Sequence, residues 1–148
     1  MKALVQRVSR AAVEVEGRTV AEIGTGLLVF VCAELVDGPA DVAKTARKVV
    51  NLRIFEDEAG RMNLGLRDVG GAILAVSQFT LAADVRRGNR PSFTGAAPPE
   101  IARELFDSFV EAVRAHEVPV KTGVFGAKMR VQLVNEGPVT IWIDSARL

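Results

Sequence analysis

The sequence predicts a mixed α/β fold, a mainly antiparallel, barrel-like β-sheet with two helices packed on it. Three observations predict it. Apolar and polar residues alternate through "AAVEVEGRTVAEIG" on either side of Gly17, the period of two that a half-buried strand requires. Two stretches, "DGPADVAKTARKVVNLRIF" and the segment after Pro98, carry apolar residues at helical spacing instead. A long β-segment, "MRVQLVNEGPVTIWI", ends the chain. At 148 residues, with no internal repeat or linker, residues 1–148 make a single compact domain.

Residues 2 to 32 read as three strands: a hairpin turning at Gly17, then the continuous apolar run 27 to 32 of a buried strand. The first helix takes Pro39 into its first turn and sets Val42, Ala43, Ala46, Val49 and Val50 on its apolar side. "EDEAGR" supplies turn chemistry. "GAILAVSQFTL", 71 to 81, reads as a strand, with Ser77 and Phe79 on one face and Gln78 and Thr80 on the other. A Gly/Pro/Arg-rich loop, "AADVRRGNRPSFTGAAPP", leads to the second helix. That helix starts near Pro98 and presents Ile101, Leu105, Phe109 and Val113 as one stripe. Two strands, about 127 to 134 and 138 to 143, follow. They are separated because Gly137 has no side chain to pack and Pro138 no N–H to donate to a ladder.

Composition excludes several classes. With 49% hydrophobic and 25% charged residues the chain is neither disordered nor membrane-like, and its longest apolar run, "GLLVFVCA", is too short to span a bilayer. No apolar leader follows "MKALVQRVSR", so a cytoplasmic location is expected. A net charge of +1 leaves nucleic-acid binding to a local patch, and Arg86, Arg87 and Arg90 in the long loop are the candidate phosphate contacts. One His and one Cys, with no motif around either, give no metal site and no cofactor. Cys32 sits in the apolar run and reads as a buried hydrophobe. His116 reads as the cation at the end of the second helix.

Polar chemistry is left at two strand ends, "SQFTL" at 77 to 81 and "NEGPVT" at 135 to 140. These strings, with "QRV" at 6 to 8, "GLLV" at 26 to 29, "MNL" at 62 to 64 and "RPSF" at 90 to 93, resemble the bacterial D-aminoacyl-tRNA deacylases. The similarity runs from Met1 to about Ile143, in the same order and spacing. It implies a homodimer that hydrolyses the ester joining a D-amino acid to the 3′-terminal adenosine of tRNA. It also implies a cis Gly137–Pro138 peptide that reaches into the partner subunit's site. By the same resemblance Ser77, Gln78, Phe79 and Thr80 form the catalytic strand end, Arg7 holds the Gly-Pro peptide, and Phe125 and Met129 join Gly137 and Pro138 in binding substrate. "CAE" at 32 to 34 and "KTGVFGAKMR" at 121 to 130 depart from commoner members. Both lie outside the two motifs and bear on the fine shape of the adenosine pocket more than on the reaction.

This identification implies exclusion as the source of chirality. A thousandfold rejection needs about 4 kcal/mol, and contact with one methyl group typically discriminates by only about 10- to 200-fold. Overlap of an L side chain with rigid main-chain oxygens at Gly137 and Pro138 supplies the larger figure, and glycine, including glycyl-tRNA mischarged on tRNA-Ala, passes. No general base stands near the motifs. A backbone oxyanion hole at Phe79 and the substrate's 2′-OH are therefore preferred over Thr80 as a nucleophile, which would need activation. The rivals are a trans-proline relative that edits L-aminoacyl-tRNA and a non-catalytic module binding the tRNA 3′ end.

Overall fold

The computed structural model describes residues 1–148. Strand β1 (Lys2–Val15) is its spine. Strand β2 (Arg18–Ile23) returns beside the second half of β1 through the turn at Gly17, and β3 (Gly26–Cys32) pairs antiparallel with the first half. The last strand, β8 (Arg130–Asp144), lies antiparallel along the opposite edge of β1 for nearly its whole length.

The remaining strands are parallel. Between β3 and β6 (Ala72–Ser77) the chain builds α1 (Pro39–Val50) and a short hairpin, β4 (Phe55–Glu56) with β5 (Met62–Leu64). Between β6 and β7 (Val120–Thr122) it builds α2 (Pro99–Ala115). Parallel neighbours need such crossovers, and β3–β6 and β6–β7 are both parallel. The sheet is antiparallel around β1 and parallel beyond β3.

Alternation along these strands feeds two cores. On one face Ala3 and Val5 of β1, Leu27, Val29 and Val31 of β3, and Ile73 and Ala75 of β6 pack beneath the helices. On the other, Val8, Ala11 and Val13 of β1 close over Leu28, Leu74 and Val76, because the far half of β1 curls across with β2. This second core makes the sheet barrel-like. Gly26 is required where β3 meets β6, since a Cβ there would run into the Ala72 carbonyl.

Both helices form where expected, with corrections to their faces. In α1 the Gly38 N–H donates to the Asp41 carboxylate at 3.0 Å, closing the first turn, and Val42, Thr45, Ala46, Val49 and Val50 are buried. Ala43 points to solvent. In α2 the buried set is Ala102, Leu105, Phe106, Phe109, Val110 and Val113, a broader face than one stripe. Ile101 is exposed, because it lies to one side of the face that buries Ala102, Phe106, Phe109 and Val113. Burying Phe109 completely stabilises the fold by about 1.5–3 kcal/mol.

Two strand expectations are also corrected. The Gly-Pro pair does not divide the C-terminal segment into two strands. β8 continues through it, and residues 136–139 bulge outward opposite Arg7 alone, since the pairs on either side are Gln6 with Thr140 and Val8 with Asn135. Likewise β6 stops at Ser77, and Phe79–Ala82 wind into a 3₁₀ turn, so the two-sided alternation expected for "SQFTL" does not extend past Gln78. The Gln78 N–H still donates to the Val31 carbonyl at 2.8 Å, and only then does the chain leave the sheet.

Candidate active site

The end of β6 opens into a pocket of about 650 Å³. Ser77, Gln78 and Phe79 form one wall, Phe93 and the start of α2 a second, and Phe125 and Met129 a third. Five of the residues named from sequence thus meet in one cavity. None of its lining side chains is ionisable, so no general base, nucleophilic thiol or metal ligand faces a substrate there.

The 3₁₀ turn supplies different chemistry. The amides of Phe79 and Thr80 begin the turn and have no hydrogen-bond partner within it, leaving two N–H donors at the strand end. Phe79 is 54% exposed and meets Phe93 edge to face, with ring centroids 5.1 Å apart. Beneath the turn the Cys32 thiol donates to the Phe79 carbonyl at 3.6 Å. Burial, reinforced by Glu34, pushes that thiol up to about 11, and it stays protonated and inert at neutral pH.

Thr80 is on the turn but outside the pocket lining. Its Oγ1 accepts from Gln78 Nε2 at 2.5 Å, and no carboxylate or imidazole is bonded to it. His116 caps the far end of α2, where its carbonyl accepts from Arg67, remote from this turn.

Gly137, Pro138 and Arg7 stand elsewhere on the chain. Arg7 and Gly137 border a second depression of about 550 Å³ with Glu136 and Phe55, and Pro138 lines neither cavity. The Gly137–Pro138 peptide is cis, and Gly137 has φ +142°, a region that disfavours side chains. Asn135 closes the neck of the bulge: the Val139 N–H donates to its Oδ1 at 2.8 Å, and its Nδ2 donates to Thr140 Oγ1 at 3.1 Å. Gln6 Nε2 donates to the same hydroxyl from β1 at 3.2 Å. Arg7, 6% exposed, fills the space behind, with Nε donating to the Glu136 carbonyl at 2.8 Å and Nη1 to the Ile54 carbonyl at 2.6 Å.

Sequence reasoning missed Asn135, Gln6 and Ile54 as supports of this bulge. Asn135 and Gln6 were in view inside the quoted strings, but only the register of β8 on β1 shows that they meet. Ile54 contributes its carbonyl, which no side-chain pattern reports.

Both motifs border one face of the sheet. Opposite the helices, Leu4 of β1 lies between Phe30 of β3 and Trp142 of β8, and Trp142 is 48% exposed. Cys32, on the same face, carries the Phe79 turn at one end of this apolar strip, and Thr140 leads into the bulge at the other. Within the long loop, Arg86 is held by Asp84 through Nε at 2.9 Å and Nη2 at 2.6 Å, whereas Arg87 and Arg90 are exposed without an ion pair.

Known proteins share both the fold and the chain. The profile of the family described as D-Tyr-tRNA(Tyr) deacylase matches residues 4–144. A D-aminoacyl-tRNA deacylase from Paracoccus denitrificans is 60% identical over 99% of this chain and 98% of its own. The one from Thermomicrobium roseum is 60% identical over 100% of this chain and 96% of its own. A solved structure titled c-Myc DNA Unwinding Element Binding Protein superposes with TM-score 0.92 at 43% identity, covering 97% of this chain and 98% of that one. A probable eukaryotic D-amino acid tRNA deacylase, 17% identical with TM-score 0.80 over 96% and 97% of the two chains, shares the fold. These matches define an α/β class of tRNA-editing hydrolases. The chain belongs to the D-Tyr-tRNA(Tyr) deacylase family.

Proposed function

We propose that the protein is a D-aminoacyl-tRNA deacylase: it hydrolyses the ester between a D-amino acid and the tRNA 3′ end, with the terminal adenosine seated in the pocket at the end of β6. The observation that carries the mechanism is the lining of that pocket, which offers aromatic walls and no ionisable side chain, beside a 3₁₀ turn whose first amides are free. In this reading the Phe79 and Thr80 amides stabilise the tetrahedral oxyanion, an effect worth about 100- to 1000-fold per donor in other hydrolases. The substrate's ribose 2′-OH orients the attacking water. Ser77 and Gln78 shape the strand end, and Phe125 and Met129 pack on the adenosine. No metal or cofactor has a part in this scheme.

The working form in this proposal is a homodimer. One chain keeps its Gly-Pro bulge apart from its own strand-end pocket, and both border the strip of half-buried Leu4 and Phe30 with exposed Trp142. Two-fold pairing of that strip brings the bulge of one subunit to the pocket of the other. Main-chain atoms of Gly137 and Pro138 then exclude an L side chain at Cα and tolerate hydrogen, so glycyl-tRNA, including that mischarged on tRNA-Ala, is also a substrate. A cytoplasmic setting follows from where charged tRNA is made.

Single-turnover hydrolysis of matched D-alanyl-, L-alanyl- and glycyl-tRNA tests this. Release of D-alanine and glycine with L-alanine retained is the expected result. Ready release of L-alanine would point to an editor of L-aminoacyl-tRNA, and binding without any release to a module that only holds the tRNA end.

A further inference from the structure

We propose that Arg103, stacked on Phe125 at the mouth of the strand-end pocket, is a phosphate subsite. It takes the phosphodiester on the 5′ side of the substrate's terminal nucleoside, an inference that rests on the deacylase reading above.

An uncharged pocket can hold a nucleoside and its aminoacyl ester, but its lining offers no cationic side chain to a phosphate. A terminal nucleotide seated in it must leave through the mouth with a phosphate attached. That phosphate carries a full negative charge and gives up part of its hydration as it meets the rim.

Arg103 projects from α2, one residue beyond Ala102, which lines the pocket. Its guanidinium carbon lies 4.9 Å from the centroid of the Phe125 ring, itself a pocket wall, and Phe125 rests in turn on buried Phe106 at 6.4 Å between centroids. Stacking on a ring fixes the plane of a guanidinium and leaves its N–H edge free to bind a phosphate through two parallel bonds. The acidic side chains within reach on the same helix are Glu100, Glu104 and Asp107. Glu100 and Asp107, at i−3 and i+4, are at ion-pairing spacing, yet neither they nor Glu104 closes an ion pair on Arg103. Arg86 and Arg114, by contrast, are committed to Asp84 and Glu111, and the unpaired Arg87 and Arg90 lie in the long loop and not on this pocket's lining. Arg103 is exposed, lies over the Phe125 ring, and closes no ion pair with an anionic side chain.

The test compares D-alanyl-tRNA with the D-alanyl ester of adenosine, which has the same reacting groups and no phosphate. In Arg103→Gln the KM advantage of the tRNA over the nucleoside ester should shrink by about tenfold, the weight of one partly solvated charge-assisted contact. The slope of log KM against log salt for the tRNA should flatten by about 0.7, the contribution of one single-strand phosphate. Arg103→Lys should recover the salt slope in part, since it keeps the charge and loses the planar fork. An equal rise of KM for both substrates would show that Arg103 merely props Phe125, and an unchanged KM for both would remove it from the site; either overturns the proposal. A parent protein inactive on both substrates would overturn the deacylase reading and take this inference with it.

Discussion

Arg7 faces Glu136 across the β1–β8 ladder, its Nε donating to the Glu136 carbonyl at 2.8 Å, while the other end of the guanidinium reaches the Ile54 carbonyl at 2.6 Å. One buried cation therefore ties the Gly-Pro bulge to the start of the β4 hairpin. Glu56 stands 3.8 Å from Nη2 and is largely exposed, so its charge is screened by solvent and the two carbonyls are the main anchors. Hydrogen bonds to charged groups contribute about 1.5–3 kcal/mol each, and they act with the Asn135–Val139 bonds and the burial of Val139 to fix the four-residue bulge.

Arg7→Ala should loosen the bulge before it harms the pocket, which lies elsewhere on the chain. The expected outcome is a fall of about tenfold or more in the D-to-L rate ratio on alanyl-tRNA, with D-alanyl hydrolysis reduced less. Rates on both enantiomers, measured beside a thermal melt, check it. An unchanged ratio would remove Arg7 from chiral selection.

Gly137→Ala should be worse than its size suggests. A Cβ there would come within 2.8 Å of Val139 Cγ2 and 2.9 Å of Arg7 Nη2, at a φ of +142°. Strain of this kind costs about 1–3 kcal/mol, so the expected result is a melting temperature lowered by a few degrees and loss of most D-alanyl-tRNA hydrolysis. A variant with parental stability and activity would show that the bulge adapts.

Thr80→Ala should keep kcat/KM within about tenfold of the parent, because the hydroxyl is bonded to Gln78 and has no base beside it. A loss of several thousandfold with intact circular dichroism would instead make Thr80 the nucleophile.

Trp142→Glu should separate the proposed dimer by placing a charge at the exposed residue of the apolar strip. Light scattering should report a monomer, and activity should drop by at least about tenfold. Mixing an inactive Phe79-turn variant with an inactive Gly-Pro variant should restore part of the activity through hybrid sites. A fully active monomer would sink the cross-subunit arrangement.

Asp84 should titrate near 2, held down by its hydrogen bonds from Arg86. A carboxylate with a depressed folded-state pKa stabilises the fold above its unfolded value, about 3.9, and loses that contribution as pH falls through about 2. Carbon-13 shifts of the Asp84 carboxyl, followed from pH 6 to 1.5, check this. A midpoint near 4 would show that the pair with Arg86 does not persist in solution.

Strands and helices were legible where one face is buried and the other wet, as around Gly17 and along residues 39 to 50. Reading failed where pairing overrode local chemistry. Gly137 and Pro138 are poor ladder residues, and β8 accommodates them by bulging, since β1 pairs with it from Lys2 to Gln6 on one side of the interruption and from Val8 to Glu14 on the other. Phe79 and Thr80 look like strand residues, but β6 has run out of partner beyond Val31, and the chain coils instead. Pocket membership was less legible still. Phe125 and Met129 were named through family likeness, while the meeting of Phe79 with Phe93 depends on the fold of a loop rich in Gly and Pro.

The bulge opposite Arg7 presents main chain, and main chain is not encoded codon by codon. The proposed filter, built from peptide oxygens, would survive exchange of almost any neighbouring side chain. Its mutational target shrinks to the few residues that hold its shape: Arg7, Asn135, Gly137 and Pro138. Under the proposed reading, a lineage of such proteins can let much of its surface drift while the stereochemical test stays constant, and loss of that test should trace to a handful of codons.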